Sequence, residues 1–150
     1  MVGAVIIAHS LIGQELITTA EYLVGKIKGI AAVSIDFKTN AFESRKVISK
    51  AVTQVDQGDG VILLTDLFGG SPSNIAFSFL NNEKTDVITG VNLPMILTYW
   101  SKRESMGLME LVKAVQLSGT RGIFRAKDLL ERKGAFERGI PTRNRRLSQR

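Results

Sequence analysis

His9 is the only histidine in this 150-residue chain, and it stands directly after an apolar run over residues 2–8. Asp66 closes a second apolar run, Val61-Ile62-Leu63-Leu64-Thr65, and Gly69-Gly70-Ser71-Pro72 follows as the opening of a helix. An imidazole is the usual acid, base or nucleophile near neutral pH. A carboxylate that accepts from one ring N–H fixes the tautomer and leaves the other nitrogen to attack. Amides at a helix start attract phosphate. In an open parallel sheet, ligands collect outside the carboxyl ends of the strands. If the first and third strands are neighbours, His9 and Asp66 end side by side, and the three features together suit the handling of a phosphoryl group.

Each feature also has a plainer reading. His9 is then an inert loop histidine, Asp66 a turn or helix cap, and Gly69-Gly70-Ser71-Pro72 a turn with Ser71 as N-cap and Pro72 at the first helical position. Nucleotide chemistry is disfavoured, because no Walker lysine and no dinucleotide glycine pattern accompanies these glycines. Ser71, His9 and Asp66 are also the ingredients of a serine hydrolase. That rival ranks lower: Ser71 lacks a Gly-x-Ser-x-Gly elbow, and Pro72 removes an amide often used for an oxyanion hole.

Composition narrows the classes further. The length suits one domain with a real core. With no cysteine, disulfides, thiolate metal sites and thiol catalysis are excluded, and a lone histidine rules out a multi-histidine metal site. No apolar run approaches the roughly 20 residues of a membrane span, and the N-terminus lacks the basic flank of a signal peptide. The chain therefore reads as cytoplasmic. Its net charge of +6 is unevenly placed: residues 1–120 carry 10 Lys and Arg against 11 Asp and Glu, residues 121–150 carry 10 against 3. The basic character belongs to the C-terminal fifth, so nucleic-acid binding is not expected of the body.

Hydrophobic periodicity predicts strands over 2–8, 31–37, 61–65 and 85–91. Helices are expected over 11–28, 42–55, 72–80, from about 92 to 102 and over 108–117. Alternation of this kind signals right-handed βαβ units: an α/β, doubly wound, mainly parallel sheet of four strands with helices on both faces. Gly119 to Gly122 reads as a break, Ile123-Phe124 as a possible short edge strand, and residues 128–133 as a further helical turn or two. The domain is expected over 1–133, with 134–150 a basic and flexible extension, disordered from about Pro141.

The chain resembles the IIA component of the mannose family of the bacterial phosphoenolpyruvate-dependent sugar phosphotransferase system. The resemblance runs from about residue 2 to 122. It rests on the strand ending in His9, on Thr19-Ala20-Glu21, on Asp66 with Gly69-Gly70-Ser71-Pro72-Ser73-Asn74, and on Gly90-Val91-Asn92-Leu93-Pro94-Met95. It implies that His9 accepts a phosphoryl group from the histidine phosphocarrier protein and passes it to a histidine of a IIB component. Asp66 would orient the imidazole, while Ser71 and the amides around Gly69 and Gly70 would bind phosphoryl oxygens. No cofactor or metal is implied, and a homodimer is, with the membrane approached only through the permease complex. Ser10 departs from the glycine of many relatives, and the basic extension is atypical. A regulatory phosphoprotein that signals through the state of His9 is the alternative within the same chemistry.

Overall fold

The computed structural model describes residues 1–36, 38–80 and 83–137. The chain divides into two compact units, residues 1–120 and residues from Arg121 onward. The first contains β1 (Gly3–His9), α1 (Ile12–Val24), β2 (Ile30–Ile35), α2 (Ala41–Val55), β3 (Val61–Thr65), α3 (Ser71–Phe77), β4 (Thr85–Thr89), α4 (Leu93–Lys102) and nearly all of α5 (Leu108–Arg121). The four strands form a parallel sheet in the order β2-β1-β3-β4.

That order follows from burial. β1 is Gly-Ala-Val-Ile-Ile-Ala-His, buried along its length until His9, so it needs cover on both faces and takes a central place. Alternate residues serve opposite layers. Ala4, Ile6 and Ala8 pack with Ile62 and Leu64 under α1, α4 and α5, through Ile17, Ile96, Tyr99 and Leu111. Val5 and Ile7 pack with Leu63 and Val33 under α2 and α3, through Ile48, Val55 and Ala76. The expected doubly wound α/β sheet is the observed one. Between β1 and β3 the chain reverses its direction of winding, and the carboxyl ends of these two strands open the crevice where such sheets bind ligands.

Element limits differ from the periodicity in instructive ways. Helix α1 stops at Val24 rather than residue 28, because Gly25 turns at a φ of +83° and Glu21 takes the Ile27 amide on its carboxylate at 3.0 Å. Helix α3 ends at Phe77, and residues 78–80 continue as a turn with bonds to carbonyls three residues back. Gly119 is not the break it resembles in sequence, since α5 runs through it to Arg121. A Cβ there would lie 2.6 Å from Met95 Cγ, so this glycine permits close packing of α5 on α4.

The second unit holds α6 (Ala126–Glu137), longer than the expected 128–133. Asp128 in its first turn pairs with the Arg125 guanidinium at 2.6 Å, which fastens the helix start. The edge strand at Ile123-Phe124 is absent: both residues are exposed and outside any strand. Only four residues link α5 to α6, and both apolar side chains stay in solvent where a paired strand would bury them. The tail from Pro141, with Arg143, Arg145 and Arg146, lies outside the described residues, as does Phe37.

Tyr99 ties the N-terminal ends of the sheet to α4. Fully buried, its hydroxyl reaches the carbonyls of Val2 at 3.0 Å and Gly29 at 2.8 Å. Burial pushes the phenol far above its ordinary range, against the opposing pull of Arg103, so Tyr99 serves as a neutral donor. Gly29 O keeps the Ala4 amide as a second partner. Tyr99→Phe should therefore cost about 1–2 kcal/mol, read as a lower urea midpoint at unchanged m.

Candidate active site

His9 ends β1, and Ser10 immediately departs from extended backbone with a φ of +51°. That left-handed residue turns the chain towards α1 and sets the imidazole at the strand edge. Across the crevice, Ile7 pairs with Thr65, so the residue after β3 comes alongside the end of β1. Asp66 Oδ2 accepts both the His9 backbone N–H at 2.8 Å and a bond from His9 Nδ1 at 2.7 Å. A carboxylate can only accept. In the neutral ring Nδ1 therefore carries the proton, which leaves the lone pair to Nε2.

The pair is unequally covered, with the side chains of His9 and Asp66 exposed to 28% and 11%. Burial by itself would raise the Asp66 carboxyl. The His9 backbone N–H, the His9 ring and the Leu67 N–H outweigh it and hold Asp66 below its ordinary value. Leu67 donates to the other oxygen, Oδ1, at 2.9 Å. Asp66 is thus fixed from both oxygens, and the imidazole inherits that rigidity.

The glycine-rich turn lies against the ring. A Cβ on Gly70 would meet His9 Cε1 at 3.2 Å, tighter than ordinary contact, so a bare α-carbon lets the turn approach the imidazole. Gly70, not Ser71, is the N-cap of α3; it is extended, with φ −86° and ψ 170°. Ser71 and Pro72 therefore sit one place further into the helix than their types suggest. Ser73 performs the side-chain work instead. Fully buried, its Oγ donates to Gly70 O at 2.9 Å and accepts from Gly69 N at 3.0 Å. The Gly69 amide is consequently engaged within the turn, and Ser71, relieved of capping, lines a cavity with His9.

That cavity measures about 250 Å³ and receives polar groups from three places: His9 from β1, Ser71 and Asn74 from α3, and Asp36 and Thr39 from the β2–α2 loop. Ile35 and Ile75 supply apolar wall. Of the residues singled out in sequence, His9 and Ser71 line this cavity, with Asp66 and Gly70 against His9. Ser73, Asn74, Asp36 and Thr39 went unassigned. Ser73 left one signal, a hydroxyl three residues after the capping glycine, the spacing at which a side chain reaches back to the helix start. Asp36 and Thr39 left none, because only the adjacency of β2 and β1 brings their loop to His9.

Two outcomes follow from this geometry. Ser10→Val should lose about 1 kcal/mol or more, since a β-branched residue is disfavoured at positive φ, while Ser10→Gly is tolerated; chemical denaturation of both variants checks the pair. A carboxylate depressed in the folded state adds stability above its unfolded value and loses it as pH falls through its folded value. The stability difference between wild type and Asp66→Asn should therefore hold above about pH 4 and close progressively below it.

Comparisons with known proteins give the family and the fold. Residues 3–116 match the family model EIIA-man, described as the PTS system fructose IIA component. The PTS system mannose-specific EIIAB component of Escherichia coli K12 is 29% identical over 124 residues, covering 81% of this chain; the chain spans only 38% of that relative's length. The PTS system fructose-specific EIIA component of Bacillus subtilis is 29% identical over 114 residues, 75% of this chain and 77% of that protein. A crystal structure of the PTS IIA protein associated with the fucose utilization operon of Streptococcus pneumoniae superposes with a TM-score of 0.74 at 30% identity, covering 86% of this chain and 96% of that one. With three-quarters of its length inside the family model and a four-stranded parallel sheet to match, this chain belongs to the mannose-type IIA family of the phosphotransferase system.

Proposed function

We propose that the chain is a phosphocarrier of the sugar phosphotransferase system, taking a phosphoryl group onto His9 Nε2 from the histidine phosphocarrier protein and passing it to a IIB component. The observation that carries this reading is the 2.7 Å contact between His9 Nδ1 and Asp66 Oδ2. In the neutral ring this contact favours the lone pair on Nε2, with the Asp66 carboxylate behind Nδ1.

In the forward step the Nε2 lone pair attacks phosphorus, the P–N bond to the donor histidine breaks, and the electron pair returns to the donor ring. Phosphorylated at Nε2 and still protonated at Nδ1, the His9 ring becomes cationic, and Asp66 stabilises it. Phosphoryl transfer needs mainly in-line positioning and stabilisation of charge on the equatorial oxygens. The Ser71 hydroxyl and the amides of Gly70 and Ser71 are suited to meet those oxygens. Gly69 contributes through the shape of the turn, its own amide being held by Ser73. The second transfer repeats the same bond changes in the opposite sense.

Exposed Leu11, Leu67 and Phe68 flank the two strand ends. Apolar side chains around a reactive histidine favour a protein partner over a small substrate. Among the described residues no helix is long and apolar enough to cross a membrane, in keeping with a carrier that works in the cytoplasm and meets the permease through IIB. The exposed Ile123, Phe124 and Leu130 of the second unit favour a homodimer. A IIA component does not select the sugar.

A series of three variants tests the assignment with the phosphorylated histidine phosphocarrier as donor. His9→Ala should abolish acid-labile labelling while leaving the fold intact; persistent labelling overturns the reading. Asp66→Asn should keep the acceptor but slow single-turnover transfer, by up to about 10⁴-fold as for the orienting aspartate of a catalytic triad. Ser71→Ala should slow transfer by roughly 5- to 150-fold, the loss of about 1–3 kcal/mol from a hydrogen bond to a charged oxygen. Esterase activity in the wild type that vanishes in Ser71→Ala would instead establish the serine hydrolase.

A further inference from the structure

The cavity beside His9 contains a carboxylate that phosphoryl binding does not call for. Asp36 directly follows β2 and lines the cavity with His9, Ser71 and Asn74. Its Oδ1 accepts the Lys38 N–H at 3.3 Å and its carbonyl accepts the Thr39 N–H at 3.1 Å, so the loop holds it at the cavity wall. Among the described residues lining this space, none is a lysine or an arginine. Sites that retain phosphate normally supply such cations. Here the neutral donors Ser71, Asn74 and Thr39 share the lining with a negative group.

We infer that Asp36 sets how loosely the site holds its phosphoryl group: its carboxylate raises the free energy of the phosphorylated state and so favours onward transfer. The inference rests on the reading that His9 carries the group. A phosphoryl group adds more than one negative charge at neutral pH, and placing it in a cavity walled by Asp36 costs Coulomb energy that departure relieves. In that departure the P–Nε2 bond breaks, a bond from phosphorus to the acceptor nitrogen forms, and the electron pair returns to Nε2. Asp36 gains and loses no proton. The side chain is exposed, so water and salt attenuate its field, which makes the effect adjustable in an experiment.

The test uses the full chain and two small molecules without a docking surface: phosphoramidate as donor and free imidazole as acceptor. The phosphohistidine is followed by ³¹P NMR in wild type, Asp36→Asn and Asp36→Glu. An asparagine keeps an oxygen for the Lys38 amide but removes the charge. The expected result is a shift of the His9–imidazole phosphoryl equilibrium towards phospho-His9 by about 3- to 10-fold in Asp36→Asn, the scale of a solvent-screened charge interaction. That shift should fade in 1 M salt, where screening is nearly complete, and Asp36→Glu should stay near wild type. A labelled wild type with an unshifted or oppositely shifted Asp36→Asn overturns the role of Asp36 alone. Equal shifts in the Asn and Glu variants, or one that salt leaves untouched, show a structural effect and overturn it too. A wild type that takes no phosphoryl group under conditions that phosphorylate imidazole overturns the reading of His9 itself.

Discussion

A single carboxylate oxygen organises the site. Asp66 Oδ2 receives the backbone N–H and the ring Nδ1 of the same residue, His9, so backbone and imidazole are located from one point. The double contact demands that the ends of β1 and β3 lie side by side, and hence the strand order β2-β1-β3-β4. That order in turn demands a β1 apolar on both faces, since it is covered by α1, α4 and α5 on one side and by α2 and α3 on the other. Disturbance of either layer would reach the histidine through the strand that carries it.

Preorganisation of this kind would suit the proposed role of His9, a nucleophile that must return unchanged after each transfer. A histidine on a mobile loop would lose rotamer freedom at every encounter with a partner; here that loss is met on folding. Part of the cost is visible at Ser10, held at positive φ next to the imidazole. Another part is the burial of Asp66, offset by three N–H donors that keep it charged. The same donors make Asp66 a good acceptor for Nδ1–H, so tautomer and rigidity have one origin.

The site was legible where chemistry and strand ends coincide in sequence. His9 and Asp66 each terminate an apolar run, and a buried parallel strand has few other ways to end in a polar residue. β3 was located to the residue, because Gly60 and Asp66 bound its five apolar or β-branched residues sharply. Glycines were read less well, because they mark both breaks and close contacts, and only packing separates the two. Gly119 lies inside a helix against Met95, and Gly70 caps α3 where Ser71 was expected to. The β2–α2 loop stayed silent for a different reason: Asp36 and Thr39 lie far from Asp66 in sequence, and their place beside His9 is a property of sheet order alone.

Charge also has to be judged by position rather than by total. The chain carries a net +6, yet the excess lies after residue 120, and the described lining of the cavity contains a carboxylate and neither lysine nor arginine. A site meant to retain phosphate would reverse that arrangement, drawing on guanidinium or ammonium groups. Neutral hydroxyl and amide donors interact with phosphoryl oxygens strongly enough to align them but without the Coulomb attraction of a cation. For the proposed carrier the distinction matters, because its phosphorylated form would have to be both reached and abandoned. In the proposed phosphorylated form, the charge of Asp66 would stabilise the imidazole side, whereas the cavity would leave the phosphoryl side weakly held. On the proposed reading, opposite demands on one bond would be met by different residues, Asp66 at Nδ1 and the cavity lining at the phosphoryl group.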